Sequence, residues 1–161
     1  MNNNDRIETN YVGHHVSAGG FIFYEDKESG EVYTLLITNK KNELWLCKGH
    51  IEKNESHLEA ALREFGEEMG VRKDMLIHID FLTKLSYSFN EWGGENTKEV
   101  YVHVFESKDK YDLSGNTGVE GITKIEWYNI ENALKEITFN QVELKDALGV
   151  FKNRLQQKEQ G

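Results

Sequence analysis

The chain has 161 residues, of which 28 are acidic and 19 are basic, so its formal net charge is −9 with neutral histidines. This length predicts one domain with a core large enough to fold without disulfides or structural zinc. The single cysteine, Cys47, excludes an intramolecular disulfide and favours a cytoplasmic location. The acidic surplus argues against a nucleic-acid polymer as partner. No apolar stretch approaches the roughly 20 residues of a membrane span, so no membrane partner is expected.

Apolar periodicity and turn-forming residues predict an alternation of strands and helices along the chain. The expected strands cover residues 16–23, 32–38, 44–46, 76–89, 100–105 and 122–128, and the expected helices cover residues 57–69, 130–137 and 144–155. This order predicts an α/β protein, an α/β/α sandwich in which helices enclose a mixed β-sheet. We expect a single domain over residues 13–156, with flexible segments at 1–12 and 157–161.

Three short segments carry more specific expectations. Gly19 and Gly20, in the middle of the first strand, predict a close approach by another backbone or by a ligand. Residues 90–97 are rich in turn formers and predict a hairpin loop. Residues 49–55 are expected to form a loop before the first helix, a position suited to phosphate binding.

The helix over residues 57–69 has the clearest boundaries in the sequence. Ser56 and Glu59 form a capping box at its start, and Gly70 suits its C-terminal end. One side of the helix is apolar, because the following residues recur at helical spacing: Leu58, Ala61, Leu62, Phe65 and Met69. The opposite side carries three carboxylates that share one patch: Glu64, Glu67 and Glu68.

Like charges at this spacing destabilise a helix. A hard divalent cation such as Mg²⁺ reverses that effect, because carboxylate oxygens are the ligands it prefers. The alternative is a solvated acidic face on which Arg63 pairs with Glu59 or Glu67. Gly66, in the middle of the helix, costs about 1 kcal/mol relative to alanine. Either tight packing or function therefore favours glycine at this position.

Residues 49–71 resemble the Nudix box, G-x5-E-x7-R-E-U-x-E-E-x-G-U, at every fixed position and with both spacers of the right length. The matching residues are Gly49, Glu55, Arg63, Glu64, Phe65, Glu67, Glu68, Gly70 and Val71. The resemblance implies a Nudix hydrolase, an enzyme that acts on phosphoric anhydrides. Such enzymes cleave a nucleoside diphosphate linked to another group, by water attack on phosphorus with magnesium or manganese.

The resemblance also implies roles for individual residues. Glu64, Glu67 and Glu68 are the expected metal ligands and the core of the catalytic set, and the carbonyl oxygen of Gly49 is a further candidate ligand. Arg63 and Glu55 are expected to form an ion pair that braces the loop against the helix, and so to support catalysis indirectly. The implied cofactor is Mg²⁺, with Mn²⁺ as a substitute.

Outside the box, Lys48-Gly49-His50 resembles the diadenosine polyphosphate hydrolases of the same family. That resemblance implies cleavage of diadenosine tetraphosphate to ATP and AMP. It places substrate contacts at Lys48, His50, Tyr87, Lys98 and Phe139, where Tyr87 and Phe139 enclose a base. Glu120 is the expected additional metal ligand or catalytic base, and Glu64 is the alternative base. The expected partner is a small nucleotide, bound to a monomer or homodimer.

Other interpretations remain open at this point. Tyr87 and Phe139 also suit core or surface aromatic positions, and Lys98 and Glu120 suit solvated charges. A pyrophosphohydrolase of nucleoside triphosphates, including oxidised ones, or of nucleotide sugars would keep the box without the base clamp. A nucleotide-binding module without turnover is a third alternative. The remaining histidines lack metal-ligand spacing and are expected to be structural or exposed: His14, His15, His57, His78 and His103.

Overall fold

A computed structural model describes residues 12–160, and the predicted flexible segment at 1–12 lies almost wholly outside them. The seven strands are β1 His14–Glu25, β2 Val32–Asn39, β3 Leu44–Trp45, β4 Cys47–His50, β5 Leu76–Glu91, β6 Gly94–Ser107 and β7 Ile122–Asn129. Within these described residues, the helices are α1 His57–Met69, α2 Ile130–Glu136 and α3 Gln141–Gln160. Short 3₁₀ turns cover Lys73–Met75 and Val119–Gly121. Across residues 12–160, none of the helices is both long and apolar enough to cross a membrane.

All seven strands belong to one mixed sheet. Its main path is β3-β2-β1-β6-β5, with β4 paired to β1 and β7 paired to β2. Only β1 and β6 run parallel, and the other pairs are antiparallel. Helix α1 packs on β1 and β4, while α3 packs on β5, β6 and β1. The predicted α/β/α class is therefore confirmed.

Two apolar cores flank the sheet. On one side, Phe65 and Met69 of α1 pack with Ile22 of β1. On the other side, Phe151 of α3 stacks on Phe23 of β1, with ring centroids 5.1 Å apart. Alternate residues of β1 thus serve both cores, as expected of a central strand.

The glycine pair of β1 explains a strand that sequence patterning missed. Residues 47–50 form β4, so the loop expected from Gly49 onward is wrong at its start. A Cβ atom at Gly19 would lie 2.1 Å from the carbonyl oxygen of Cys47, and one at Gly20 would lie 2.2 Å from that of His103. Because glycine has no Cβ, neighbouring backbones approach β1 closely on both sides. The predicted close approach is thus confirmed.

The connection between β5 and β6 is shorter than expected. The hairpin predicted over residues 90–97 is confirmed, but its predicted loop is too long, since β5 continues to Glu91 and β6 begins at Gly94. The side-chain amide of Asn96 is buried and donates to the carbonyl oxygens of Glu91 and Gly94, at 3.0 and 3.2 Å. These bonds close the turn with only two residues, Trp92 and Gly93, at its tip.

Helix α1 has the predicted ends. Ser56 and Glu59 exchange the two hydrogen bonds of a capping box, and Gly70 adopts a left-handed conformation with φ of 73°. Gly66 is exposed, and an added Cβ there would meet only the carbonyl oxygen of Val71, at 3.5 Å. Tight packing therefore does not explain this glycine. The helix direction brings its acidic side to the end of β4.

Candidate functional site

A cleft of about 810 Å³ lies beside the C-terminal half of α1. Its walls come from the strands β1 to β7, from α1 and from the connection between α2 and α3. The cleft brings together eight of the residues singled out in the sequence: Lys48, Gly49, His50, Glu64, Glu68, Tyr87, Lys98 and Phe139. They are separated by up to 91 positions in the chain (139 − 48), so the fold and not the local sequence unites them.

The carboxylates of Glu64 and Glu68 are one helical turn apart, and each residue is only 6% exposed. Glu64 lies directly against the backbone of Gly49, since a Cβ atom there would be 2.1 Å from the Glu64 carboxyl carbon. Gly49 is held in place by its pairing with Ala18 of β1. Sheet and helix thus place a backbone carbonyl and two carboxylates at the same end of the cleft.

Arg63 ties the residues around the cleft together. Its guanidinium donates to both carboxylate oxygens of Glu55, at 2.7 and 3.1 Å, and to the carbonyl oxygen of His50 at 2.8 Å. It also donates to Glu64 at 2.8 Å and to Glu67 at 3.3 Å. Burial lowers the pKa of Arg63, but these carboxylates outweigh burial and raise the pKa above its ordinary value. The ion pair expected between Arg63 and Glu55 is present in the structure.

Cys47 contacts the second carboxylate of the cleft. Its Sγ donates to the Glu68 carboxylate at 3.0 Å. Burial, followed by the negative charge of Glu68, holds the pKa of the Cys47 thiol well above its usual range. The thiol is therefore protonated at neutral pH and acts as a hydrogen-bond donor that orients Glu68.

The donor atoms around Gly49 suit a hard divalent cation. Carboxylate and carbonyl oxygens are the preferred ligands of Mg²⁺. Within residues 12–160, however, no three acidic, histidine or cysteine side chains already converge as a metal site. Nη1 of Arg63 donates to both Glu64 and Glu67. The carboxylate and carbonyl oxygens suit a metal ion. For Glu67 to bind that ion, its hydrogen bond with Arg63 must break.

Four basic residues line the same cleft: Lys41, Lys48, His50 and Lys98. Burial, followed by repulsion from Lys48, lowers the pKa of Lys98 to about 6. Burial, followed by the charge of Lys98, lowers the pKa of His50 to about 4. A nearby anion favours the charged form of each group, so a polyphosphate entering the cleft would raise both pKa values. The cleft is thus a site whose positive charge increases when an anion binds.

More aromatic residues line the cleft than were predicted from the sequence. Tyr87 and Phe139 are each 39% exposed. Phe139 packs against Trp45, with ring centroids 4.9 Å apart, and Tyr87 lies 6.2 Å from Phe89. Trp45, Phe89 and Trp92 were not predicted as site residues, although all three line the cleft. No local motif identifies them, because they enter through strand pairing and the tight turn.

Of the predicted site residues whose side chains the structure describes, three do not line the cleft: Glu55, Arg63 and Glu67. Glu67 is held by Arg63. Glu120 belongs to the 3₁₀ turn Val119–Gly121, directly before Ile122 of the cleft wall. Its side chain lies outside the described part of the structure. The roles expected for Glu120, as base or metal ligand, therefore stay predictions.

Three histidines form a chain outside the cleft lining. His103 lies between His57 and His78, with nitrogen–nitrogen distances of 2.6 and 2.9 Å. His103 is 2% exposed. Burial, followed by its two histidine neighbours, lowers the pKa of His103 to about 4. This chain connects the start of α1 to β5 and β6, in agreement with the expected structural role.

Comparisons with known proteins agree with this geometry. A family model described as the NUDIX domain matches residues 13–148. The mRNA-decapping protein g5R of African swine fever virus is 31% identical over 119 residues, which are 65% of this chain and 46% of that protein. The chain thus spans about half the length of this curated relative.

Solved structures share the fold. The Ap4A hydrolase of C. elegans has a TM-score of 0.60 at 22% identity, over 90% of this chain and 99% of that one. The NUDIX domain of NrtR from Shewanella oneidensis, complexed with ADP ribose, has a TM-score of 0.59 at 13% identity, over 96% of this chain and 99% of that one. At these identities the structures establish the architecture alone.

Proposed function

The chain belongs to the Nudix family, and we propose that within it this protein is a metal-dependent pyrophosphohydrolase of dinucleoside polyphosphates. Membership confirms the predicted family, and hydrolysis is part of the proposal. The observation that carries the finer proposal is the composition of one cleft. Carboxylates of the Nudix box, three lysines and several aromatic side chains line the same cavity.

We assign the metal to the end of the cleft at Gly49. Glu64, Glu68 and the Gly49 carbonyl would hold it, with Glu67 joining after release from Arg63. When bound, Mg²⁺ or Mn²⁺ supplies charge neutralisation on the phosphates and activates water for attack on phosphorus. Glu64 or Glu120 accepts the proton of the attacking water.

The remaining residues bind and orient the substrate. Lys48 and Lys98 face the polyphosphate, and protonation of Lys98 on binding adds charge where the anion lies. A base between Tyr87 and Phe139 gains about 1–3 kcal/mol from each stacking contact, with little demand for base identity. Such stacking suits an adenine nucleoside at one end of a dinucleotide.

The test is hydrolysis of diadenosine tetraphosphate with Mg²⁺ in oxygen-18 water, with the products separated and weighed. The proposal expects ATP and AMP, with the label on one of them, which identifies the attacked phosphorus. Nucleoside triphosphates, oxidised triphosphates and nucleotide sugars complete the substrate panel. Turnover of one of these with intact diadenosine tetraphosphate contradicts the proposal, and metal-dependent binding without any product indicates a binding module.

A variant separates the base clamp from the alternatives. Phe139→Ala should raise the KM for diadenosine tetraphosphate about tenfold or more, because one stacking contact is lost. Phe81→Ala is the matched control, since Phe81 is 42% exposed and packs against His57 outside the cleft. An unchanged KM in Phe139→Ala would favour a substrate bound without the clamp.

The viral relative supports a second candidate substrate. Its name is that of an mRNA-decapping protein, and it shares 31% identity with this chain. An mRNA cap is itself two nucleosides joined 5′ to 5′ through a polyphosphate, so the same cleft chemistry applies. Capped RNA therefore belongs in the panel, and the net charge of −9 argues for the free dinucleotide over the polymer.

A further inference from the structure

Trp92 occupies a turn position that suits a tryptophan poorly. Residues Glu91 and Gly94 pair across the β5–β6 hairpin, so Trp92 and Gly93 alone form the turn. Their φ angles are 55° and 85°, the pattern of a type I′ turn. The first position of this turn favours asparagine, aspartate or glycine, and a bulky side chain there is strained. Strained residues persist where function requires them.

The Trp92 ring is fixed on one side and exposed on the other. It packs edge-on against Phe89, with centroids 5.4 Å apart at 86°, and lies 5.5 Å from the ring of His15. His15 is buried, and its ring nitrogen is 3.2 Å from the side-chain oxygen of Asn96, whose amide nitrogen closes the turn. Trp92 is nevertheless 41% exposed and lines the cleft. The turn therefore presents a pre-positioned aromatic face to a ligand.

The position of this face relates it to the carboxylates. His15 also contacts the ring of His50, at 5.5 Å, and His50 directly follows Gly49 in β4. Trp92 is thus linked to the metal end of the cleft through two ring contacts. The Trp45–Phe139 pair lies on β3 and the α2–α3 connection, whereas Tyr87 lies on β5 at 6.2 Å from Phe89, which also contacts Trp92.

We propose that Trp92 stacks on the second base of a dinucleoside polyphosphate, while Tyr87 and Phe139 hold the first. This inference rests on the proposed function and adds a specificity residue to it. The polyphosphate then runs past Lys98, Lys48 and the carboxylates, with one nucleoside on each side of the cleaved bond. A mononucleotide fills only one of the two base positions.

The test compares two substrates with equal phosphate chains, diadenosine tetraphosphate and adenosine 5′-tetraphosphate. Trp92→Asn removes the ring and gives the favoured Asn-Gly turn, so the hairpin is retained. It should raise the KM for the dinucleotide about tenfold and leave the KM for adenosine tetraphosphate unchanged. Trp92→Phe should retain most of the affinity, and Phe81→Ala should change neither KM.

Two results overturn the inference. Equal losses with both substrates in Trp92→Asn assign Trp92 to structure alone, and no loss with either removes it from the site. Failure of the proposed function is a different result, in which the wild-type protein cleaves neither tetraphosphate. The affinities of the two compounds for wild type and Trp92→Asn in the same Mg²⁺ buffer then decide the matter. A preference for the dinucleotide that Trp92→Asn abolishes supports the second base position, and equal binding of both compounds refutes it.

Discussion

Gly49→Ala tests whether the contact between β4 and Glu64 supports catalysis. The added Cβ would lie 2.1 Å from the Glu64 carboxyl carbon, whereas ordinary contacts begin at 3.4 Å, so the two groups must separate by 3.4 − 2.1 = 1.3 Å. Both sides are constrained, because Gly49 pairs with Ala18 and Arg63 holds Glu64. Misplacement of a catalytic group by about 1 Å costs on the order of 10²-fold in rate. We therefore expect kcat/KM to fall by about 10²-fold or more.

Gly66→Ala is the matched control in the same motif. An added Cβ at Gly66 meets only the Val71 carbonyl oxygen, at 3.5 Å, which is ordinary contact. Replacing a mid-helix glycine with alanine should stabilise the protein by about 1 kcal/mol, or raise Tm by roughly 2–4 °C. The assay is steady-state hydrolysis of diadenosine tetraphosphate with Mg²⁺, together with thermal unfolding of each variant.

Comparison of Gly49→Ala with Gly66→Ala decides whether the contact between Gly49 and Glu64 supports catalysis. A folded Gly49→Ala variant with near-wild-type kcat/KM would refute the assignment of Glu64 and Gly49 to the reacting end of the cleft. If Gly49→Ala does not fold, another residue at this position, such as serine, is no better test, because any side chain there would clash with Glu64 in the same way. The informative replacement is then Glu64→Gln, which keeps the shape beside Gly49 and removes the charge. It should retain the wild-type fold and lose metal-dependent activity.

Three further changes test neighbouring parts of the structure. Glu68→Gln should reduce turnover by several orders of magnitude and raise Tm in EDTA, since it removes an anionic ligand and a like charge near Glu64; a near-wild-type rate would exclude Glu68 from the metal site. Arg63→Lys should lower kcat/KM about 10–100-fold, because lysine cannot bond Glu55, Glu64 and the His50 carbonyl together; unchanged metal affinity and rate would contradict this. The pKa of His103 is about 4 in the folded protein and near 6.5 in the unfolded chain, so at pH values between these two the unfolded chain binds more protons. Stability should therefore fall by about 2 kcal/mol from pH 7.5 to 5.0 through this group, and urea unfolding of His103→Gln should lack that part of the slope.

Local patterns made much of the fold predictable. Helix α1 begins and ends at the predicted residues, because its capping box and its left-handed Gly70 act within a few positions of the chain. The glycine pair in β1 likewise predicted a close backbone approach. It did not identify the strand that approaches, since the pairing of β4 with β1 joins residues about 30 positions apart. The length of the β5–β6 turn could not be predicted either, because the turn depends on the side chain of Asn96, whose burial is a property of the whole fold.

In the candidate site, too, the predictable residues are those whose positions depend on nearby sequence, and the missed residues are those placed by tertiary structure. Glu64 and Glu68 could be predicted because helical spacing places them together, and the contact of Arg63 with Glu55 because the resemblance to the Nudix box implies it. Trp45 and Trp92 could not, because their place in the cleft depends on strand pairing and on a turn that closes with two residues. Local propensity even argued against Trp92, since the turn angles favour asparagine. A residue that violates the local rule, yet faces the same cavity as the carboxylates, indicates that binding specificity has outweighed the strain of the turn.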